Sequence, residues 1–230
     1  MLITFEIKRR RSPESEPYTV TAEFETDGDE TVAGALTELN AGRFSEDPVE
    51  WECSCRQKKC GACAMLINGR PRLACDVWLK EFTRGRVRLE PLKKFPVVRD
   101  LMVDRSVMFD DLKRLGAYLA ETAGEDRDGI AYDASRCLQC GCCLEVCPNF
   151  WAGGEFFGTA VLAPASRLIS EAQGSDETRL YGAYNEHFYR GCGKSLACRD
   201  ICPAGIDVDA LLVNSNAAAV WKRRSRGGKK

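Results

Sequence analysis

The repeated cysteine motif in the second half of the chain constrains its structure more than any other feature. Residues 137–148 read CLQCGCCLEVCP, and residues 192–203 read CGKSLACRDICP. The two stretches align at three cysteines and at the closing Cys-Pro, but Cys140 of the first stretch corresponds to Ser195 of the second. The C-x2-C-x2-C-x3-C-P spacing of the first stretch is typical of a cysteine run that binds [4Fe–4S] clusters. The pattern therefore predicts two iron–sulfur clusters with an unequal supply of thiols.

The closing cysteines decide how these thiols are shared. In chains with two such runs, the cysteine before proline binds the cluster of the opposite run. This rule predicts a [4Fe–4S] site with the ligands Cys137, Cys140, Cys143 and Cys202. The second site keeps three thiols, those of Cys147, Cys192 and Cys198, which suits a cluster lacking one iron corner, [3Fe–4S]. Two alternatives remain open, since the Ser195 hydroxyl or a hydroxide could hold a fourth iron.

A third group of cysteines lies in the first half of the chain. Its first three members have the C-x4-C-x2-C spacing of plant-type [2Fe–2S] sites. The predicted ligands are Cys55, Cys60, Cys63 and Cys75. Gly61 suits a loop that wraps a cluster, because it has no Cβ. Cys53 and Cys142 are left over, and we interpret both as packing residues, with a spare ligand as the alternative for Cys53.

Composition and charge exclude several other classes of protein. The 13 cysteines are an odd number, and the N-terminus MLITFEIKRRR does not have the charge order of a secretory signal, so metal or redox centres are favoured over disulfides. Lys and Arg number 33 against 34 Asp and Glu, which does not favour nucleic acid as a partner. The sequence contains no window of 18 uninterrupted apolar residues, so no membrane-spanning helix is predicted. A zinc-binding scaffold for protein or nucleic acid remains the alternative from another class.

The hydrophobic patterning predicts an α+β fold with two parts. Alternation predicts strands at 2–8, 18–25 and 86–92, and AMLI, Asn-Gly and PRLAC at 64–75 predict a hairpin. Helical spacing predicts a helix at 30–40, so a small mixed sheet crossed by one helix is expected. Helical patterns at 99–121, 159–172 and 207–221 predict a mainly helical second part. The predicted domains are residues 1–102 and 103–230.

The order and spacing of these eleven cysteines resemble the iron–sulfur subunit of succinate dehydrogenases and fumarate reductases. The resemblance covers nearly the whole chain. It implies a β-grasp, plant-type [2Fe–2S] ferredoxin domain followed by a helical, bacterial-type ferredoxin domain. It also implies a hetero-oligomeric complex at the cytoplasmic face of the inner (cell) membrane. The implied partners are a flavoprotein with FAD, where succinate and fumarate interconvert, and a membrane anchor with quinone, often with haem b.

The chain departs from this family near the expected quinone. Many members have two adjacent tryptophans after the crossing cysteine, whereas this chain has Trp151 followed by Ala152. Many also have a histidine where this chain has Gly193. Pro148 and Trp151 are the two residues that still match the family's pattern on the side where quinone is expected to bind. A shield that keeps water from the cluster is an equal interpretation for Trp151.

The residues themselves favour an electron relay over organic catalysis. The single histidine, His187, is a weak candidate for a catalyst, and no Gly-rich dinucleotide fingerprint is present. Three clusters can pass one at a time the electron pair that a flavin releases. The departures near Gly193 motivate an alternative, the relay subunit of a soluble flavin-dependent reductase with a thiol, disulfide or ferredoxin partner. The basic end, WKRRSRGGKK, is interpreted as a solvated tail, with contact to anionic lipid headgroups or to a partner chain as the alternative.

Overall fold

The described chain falls into two compact units. A computed structural model describes residues 1–121, 124–126 and 129–221. One unit contains residues 1–105 together with Cys140–Glu145, and the other contains residues 106–139 and the chain from Val146 onward. The basic tail after Trp221 lies outside the described residues. The domain boundary between residues 102 and 103 stays a prediction.

A five-stranded mixed sheet forms the first unit. Its strands are β1 (Leu2–Arg9), β2 (Tyr18–Glu25), β3 (Ala64–Ile67), β4 (Arg70–Leu73) and β5 (Arg86–Glu90). Their order is β2-β1-β5-β3-β4. β1 pairs antiparallel with β2 and parallel with β5, which makes the sheet mixed as expected. The predicted strands and the predicted hairpin are confirmed.

One helix packs on this sheet. Helix α1 (Val32–Ala41) begins at Thr31, whose hydroxyl accepts a hydrogen bond from the amide of Gly34. This contact satisfies one of the amide groups that the first helical turn leaves without a partner. The helix buries Val32 and Leu36 completely. The expected arrangement of a small sheet with one helix is therefore confirmed.

The prediction of a helical pattern over residues 99–121 is wrong at both ends, since the helix in this region spans only Ser106–Leu115. A short antiparallel ribbon, β6 (Val97–Arg99) and β7 (Met102–Val103), precedes helix α2 (Ser106–Leu115). Asp100 turns this ribbon with a φ of 45°, and its carboxylate accepts hydrogen bonds from the Arg9 side chain and from the amide of Arg10. These contacts with residues far away in the sequence stabilise the ribbon, although the spacing of the segment's apolar residues is typical of a helix.

The second unit is helical. Besides α2 it contains α3 (Ala131–Ser135), α5 (Thr159–Glu171), α6 (Ser175–Tyr184) and α7 (Val208–Asn216), while α4 (Cys142–Glu145) belongs to the first unit. Two π-helical turns, Asn185–Tyr189 and Ala217–Trp221, extend α6 and α7. The predicted helices at 159–172 and 207–221 are confirmed, and α6 was not predicted. In the described ranges no helix is both long and apolar enough to cross a bilayer.

Candidate iron–sulfur sites

A tight hairpin brings together two of the cysteines predicted to bind the first cluster. Asn68 and Gly69 have φ values of 50° and 78°, as the turn between β3 and β4 requires. Cys63 directly precedes β3, and Cys75 follows β4 in a single 3₁₀ turn, Ala74–Asp76. The amide of Ala74 donates to the carbonyl of Cys63 over 3.0 Å. The pairing of the strands thus places Cys63 and Cys75 at the same open end.

The loop before the hairpin points backbone amides at sulfur. The amides of Gln57 and Lys59 donate to Sγ of Cys55 over 3.4 and 3.2 Å. The amide of Lys58 donates to Sγ of Cys75 over 3.3 Å. Amide hydrogen bonds to cysteine sulfur stabilise negative charge on it and help to set the potential of a bound cluster. The donor set therefore fits a [2Fe–2S] cluster held by thiolates.

The pKa values of Cys55 and Cys63 in this group are shifted in opposite directions. The amides of Gln57 and Lys59 lower the pKa of Cys55 to about 7. Burial raises the pKa of Cys63 to about 12. Cys53 is half-buried, and burial raises its pKa as well, although it hydrogen-bonds with Arg56. Iron must displace the proton from Cys63, so binding there depends on the metal's own charge.

The three cysteine loops share one backbone feature. In each loop, two residues between the predicted ligands have a left-handed conformation. In the first loop these are Arg56 and Lys58, with φ values of 55° and 58°. The two Cys-Pro runs have them at equivalent positions, Gln139 and Gly141 in one and Lys194 and Leu196 in the other. Left-handed residues turn successive amides toward one side and make a concave site for anions. The run with Ser195 therefore keeps the same turn as the complete run.

Cys140 is buried in the first unit beside a second thiol. Its side chain is hydrogen-bonded to Cys142, which lowers the pKa of Cys140 to about 7. Cys142 is completely buried, in line with its interpretation as a packing residue. The structure adds that Cys142 also contacts a predicted ligand. Cys143, the third predicted ligand of this run, lies in the same helix, α4, in the first unit.

Cys137 and Cys202 lie in the second unit. Both pack against one apolar cluster, which includes Ile130, Ala163 and Leu211. The side-chain amide of Gln139 donates to Sγ of Cys137 over 3.3 Å and to the carbonyl of Ala160 over 2.7 Å. The two thiols thus share one apolar wall, and one of them accepts a hydrogen bond from a side-chain amide.

The three thiols of the incomplete set line one cavity within the second unit. Cys147, Cys192 and Cys198 face it together with Ser195. The other lining residues are mostly apolar, Phe156, Leu162, Phe188, Leu196 and Leu212, with Asn149, Thr159, Gly193 and Lys194. Burial raises the pKa of Cys198, and the nearby sulfurs of Cys147 and Cys192 act in the same direction. Three thiols that line one mostly apolar cavity form a donor set suited to an iron–sulfur cluster.

Asn149 occupies the space beside Gly193, where many members of the resembling family have a histidine. Its side-chain amide donates to the carbonyl of Gly191 over 2.9 Å. A Cβ atom on Gly193 would lie 3.0 Å from Oδ1 of Asn149. Trp151, the predicted aromatic remnant, is 62% exposed, and Pro148 is exposed too. Neither lines the cavity of Ser195.

The single histidine packs as a structural residue. The ring of His187 stacks on Phe157 with 4.0 Å between centroids, and its Nδ1 lies 3.0 Å from the carbonyl oxygen of Glu155. In the part of the chain that the structure describes, no three side chains of His, Cys, Asp or Glu are grouped around a point for a single metal ion.

Several contacts of the cysteine loops were not predicted from the sequence. These are Gln139 at Cys137, Cys142 at Cys140, Asn149 at Gly193 and Thr159 at Cys198. A fifth is Arg105, which reaches the loops of Cys60 and Cys140. Only Gln139 and Cys142 lie inside a cysteine motif, where polar or thiol side chains are a signal. The others are distant in sequence, and no local pattern could have found them.

Comparison with known families agrees with these loops. A model of a 2Fe-2S iron–sulfur cluster binding domain matches residues 4–110, and a model of a 4Fe-4S dicluster domain matches residues 133–206. The chain is therefore an iron–sulfur protein with a [2Fe–2S] module followed by a dicluster module. Both matches argue against the zinc-scaffold alternative.

The relatives narrow this class to one family. The chain is 34% identical to the succinate dehydrogenase iron–sulfur subunit of Bacillus subtilis, over 93% of this chain and 91% of the relative. It is 27% identical to the fumarate reductase iron–sulfur subunit of Haemophilus influenzae, over 86% of each chain. A chain in the structure of the Mycobacterium smegmatis Sdh1 complex in the apo form superposes with a TM-score of 0.77, 24% identity and 96% and 97% coverage of this chain and that chain.

The chain belongs to the family of iron–sulfur subunits of succinate dehydrogenase and fumarate reductase. Members of this family are electron-transfer subunits of hetero-oligomeric oxidoreductases. The α+β fold and its two ferredoxin-like modules are confirmed. The alternative of a relay in a soluble flavin-dependent reductase is not favoured.

Proposed function

We propose that this chain relays single electrons between an FAD-containing flavoprotein, which interconverts succinate and fumarate, and a quinone held by a membrane anchor. The cavity that joins Cys147, Cys192, Cys198 and Ser195 is the observation that carries the proposal. It supplies three thiols and one hydroxyl, a set suited to a cluster with three irons. When bound, the three clusters would accept and release electrons one at a time, which converts the two-electron chemistry of a flavin into single steps.

The first cluster is proposed to be a [2Fe–2S] cluster bound by Cys55, Cys60, Cys63 and Cys75. The three amide hydrogen bonds to Cys55 and Cys75 support this assignment, because such donors stabilise the negative charge of sulfur in a bound cluster. Cys63 is buried and Cys55 is partly exposed. One side of this site is therefore open to a partner that donates or accepts electrons.

The second cluster is proposed to be a [4Fe–4S] cluster with the ligands Cys137, Cys140, Cys143 and Cys202. This assignment rests on the motif and on the crossing of the cysteine before proline. The hydrogen bonds of Gln139 with Cys137 and of Cys142 with Cys140 support the assignment, because donors to sulfur stabilise the negative charge of a bound cluster.

The third cluster is proposed to be [3Fe–4S], bound by Cys147, Cys192 and Cys198. Ser195 stands in this cavity at the position where the other run has its fourth thiol, so the cavity supplies one thiol fewer than a [4Fe–4S] cluster needs. Trp151 is exposed close in sequence to Cys147, and Pro148 beside it is exposed too. These two residues are proposed to face the anchor subunit, on the membrane side of the complex.

Electron paramagnetic resonance of the purified chain with its clusters tests this assignment. The air-oxidised protein is expected to give the low-temperature signal of an oxidised [3Fe–4S] cluster, and the reduced protein the signal of a [2Fe–2S] cluster. Absence of the first signal would show that the division of seven thiols into four and three is wrong.

Purification of the native complex tests the proposed electron donor and acceptor at the two ends of the relay. The complex should contain a flavoprotein and a hydrophobic, multi-helix anchor.

A further inference from the structure

Arg105 makes an unusual set of contacts within the first unit. Its side chain is only 12% exposed. One terminal nitrogen, Nη1, donates to the carbonyls of Gly61 and Cys140 over 3.1 and 3.3 Å. The other, Nη2, donates to the carbonyl of Ala62 over 3.0 Å and to the carboxylate of Glu52. These four hydrogen bonds of the guanidinium are all made to oxygen atoms of the protein.

Such a buried cation has an energetic cost. Burial lowers the pKa of Arg105, because it penalises the charged form. Glu52 offsets the charge, and the three carbonyls satisfy further donors. The planar guanidinium presents its donors in a rigid fork, which an ammonium group lacks. The four acceptors together therefore select arginine over lysine.

The acceptors belong to two different cysteine loops. Gly61 and Ala62 lie between Cys60 and Cys63, proposed ligands of the [2Fe–2S] cluster. Cys140 is a proposed ligand of the [4Fe–4S] cluster. Atom Nη1 of Arg105 thus connects the backbones of the two ligand loops through two hydrogen bonds.

Two further contacts hold the segment Cys140–Glu145 in the first unit. A carboxylate oxygen of Glu145 accepts hydrogen bonds from the amides of Lys93 and Lys94 over 2.9 and 3.1 Å. Gly141 has a φ of 84°, and a Cβ atom there would lie 3.0 Å from the ring of Phe95. Contacts at both ends of the segment therefore determine its position, with Arg105 at the end of Cys140.

We propose that Arg105 is a positioning residue that holds the loop of Cys60 and Cys63 in register with Cys140 and provides a hydrogen-bonded path between their backbones. The inference rests on the proposed function, because it concerns electron exchange between the first two clusters. Arg105 itself neither gains nor loses an electron or a proton. Its effect is to keep the ligand loops aligned.

The test compares three variants of the full chain with its clusters in place. Arg105→Met removes every donor, and Arg105→Lys keeps a charge without the fork. Arg99→Met is the matched control, since Arg99 is a half-exposed arginine of the same unit that pairs with Asp47 and Glu50. Iron and sulfide content, the paramagnetic resonance spectra, the midpoint potentials and the rate of electron exchange after rapid photoreduction are measured for each.

We expect Arg105→Met to retain its iron, to alter the [2Fe–2S] spectrum and its magnetic interaction with the reduced [4Fe–4S] cluster, and to leave the [3Fe–4S] signal unchanged. Electron exchange between the first two clusters should slow about tenfold or more, as expected when reacting groups lose alignment. Arg105→Lys should show the same changes to a smaller extent, and it decides the matter if Arg105→Met does not accumulate.

Two results would overturn the inference. One is an Arg105→Met protein that matches Arg99→Met in spectrum, potential and exchange rate. The other is full recovery in Arg105→Lys, which would assign the effect to charge alone. A wild-type protein without a [2Fe–2S] signal would instead contradict the proposed function, so the two failures are distinguishable.

Discussion

The amide of Lys58 donates a hydrogen bond to Sγ of Cys75, with 3.3 Å between nitrogen and sulfur. The two residues are 17 positions apart in the chain. The contact joins the loop of Cys55 to the end of the β3–β4 hairpin. Hydrogen bonds within the protein therefore help to position the first ligand loop, and Cys55 and Cys63 are expected to differ in reactivity in the iron-free chain.

Alkylation of the iron-free chain should distinguish these thiols. Cys55 has its pKa lowered from 9.0 to about 7 by the amides of Gln57 and Lys59. Thiolate is the reactive form, so the rate at Cys55 should rise steeply between about pH 6 and pH 8 and then level off. Cys63, whose pKa is raised to about 12 by burial, should stay unreactive over this range. Mass spectrometry of iodoacetamide-treated peptides measures both rates, and Cys55→Ser provides the control. Equal rates at Cys55 and Cys63 at neutral pH would contradict the geometry.

Replacement of Ser195 should change the type of the third cluster. Ser195→Cys adds a fourth thiol to the cavity of Cys147, Cys192 and Cys198. We expect one more iron for each chain, loss of the oxidised [3Fe–4S] signal and a lower midpoint potential, because another thiolate adds negative charge. Iron analysis and paramagnetic resonance measure these changes. Ser195→Ala is the control and should keep both the iron content and the signal. Loss of iron in that variant would mean that the serine hydroxyl is itself a ligand.

Removal of the Cys142 thiol should make the potential of the [4Fe–4S] cluster more negative. Cys142 hydrogen-bonds to Cys140, and such donors stabilise the more negative, reduced state of a cluster. Cys142→Ala removes the donor, and the small cavity that it leaves should cost about 1 kcal/mol of stability. Cys142→Ser keeps a donor and should restore most of the potential. A redox titration followed by paramagnetic resonance measures the shift. An unchanged midpoint potential in Cys142→Ala would mean that Cys142 acts only as a packing residue.

The ion pair between Arg9 and Asp100 should be important for the stability of the first unit. Their side chains are 3% and 0% exposed, and Arg9 Nη2 lies 2.8 Å from the carboxylate of Asp100. Asp100→Asn tolerates the left-handed backbone but leaves the buried Arg9 with the half-exposed Asp47 as its remaining charge partner, which should cost about 3 kcal/mol of unfolding free energy, the lower end of the cost of breaking a buried pair. Asp29→Asn, which breaks an exposed pair with Lys80, should cost less than about 1 kcal/mol. Chemical denaturation of both variants measures the difference, and similar losses would mean that the buried pair has no special role.

Local patterns were sufficient to predict much of this protein. The Asn68-Gly69 turn predicts the hairpin correctly, because only a few residue types adopt its left-handed backbone. The Cys-Pro motifs predict iron–sulfur modules, because cluster binding needs thiols at particular spacings. Helix α5 follows from its apolar spacing. Each of these features depends on residues close together in the chain.

Other features depend on contacts between distant residues. The ribbon around Asp100 replaces a predicted helix, because Arg9 and the amides of Arg10 and Glu50 bind its carboxylate. The parallel pairing of β1 with β5 joins opposite ends of the first unit. The secondary-structure propensities of neighbouring residues do not include the energy of contacts between distant parts of the chain.

The sequence by itself thus determined the number of thiols, their grouping and the one position, Ser195, where a thiol is missing. The tertiary structure decided that Cys140–Glu145 belongs to the first unit and that Arg105 connects its backbone to the loop of Cys60 and Cys63. The physical reason is the range of the interactions. Motif spacing is a property of neighbouring residues, whereas a buried guanidinium finds its acceptors only after separate parts of the chain have packed together.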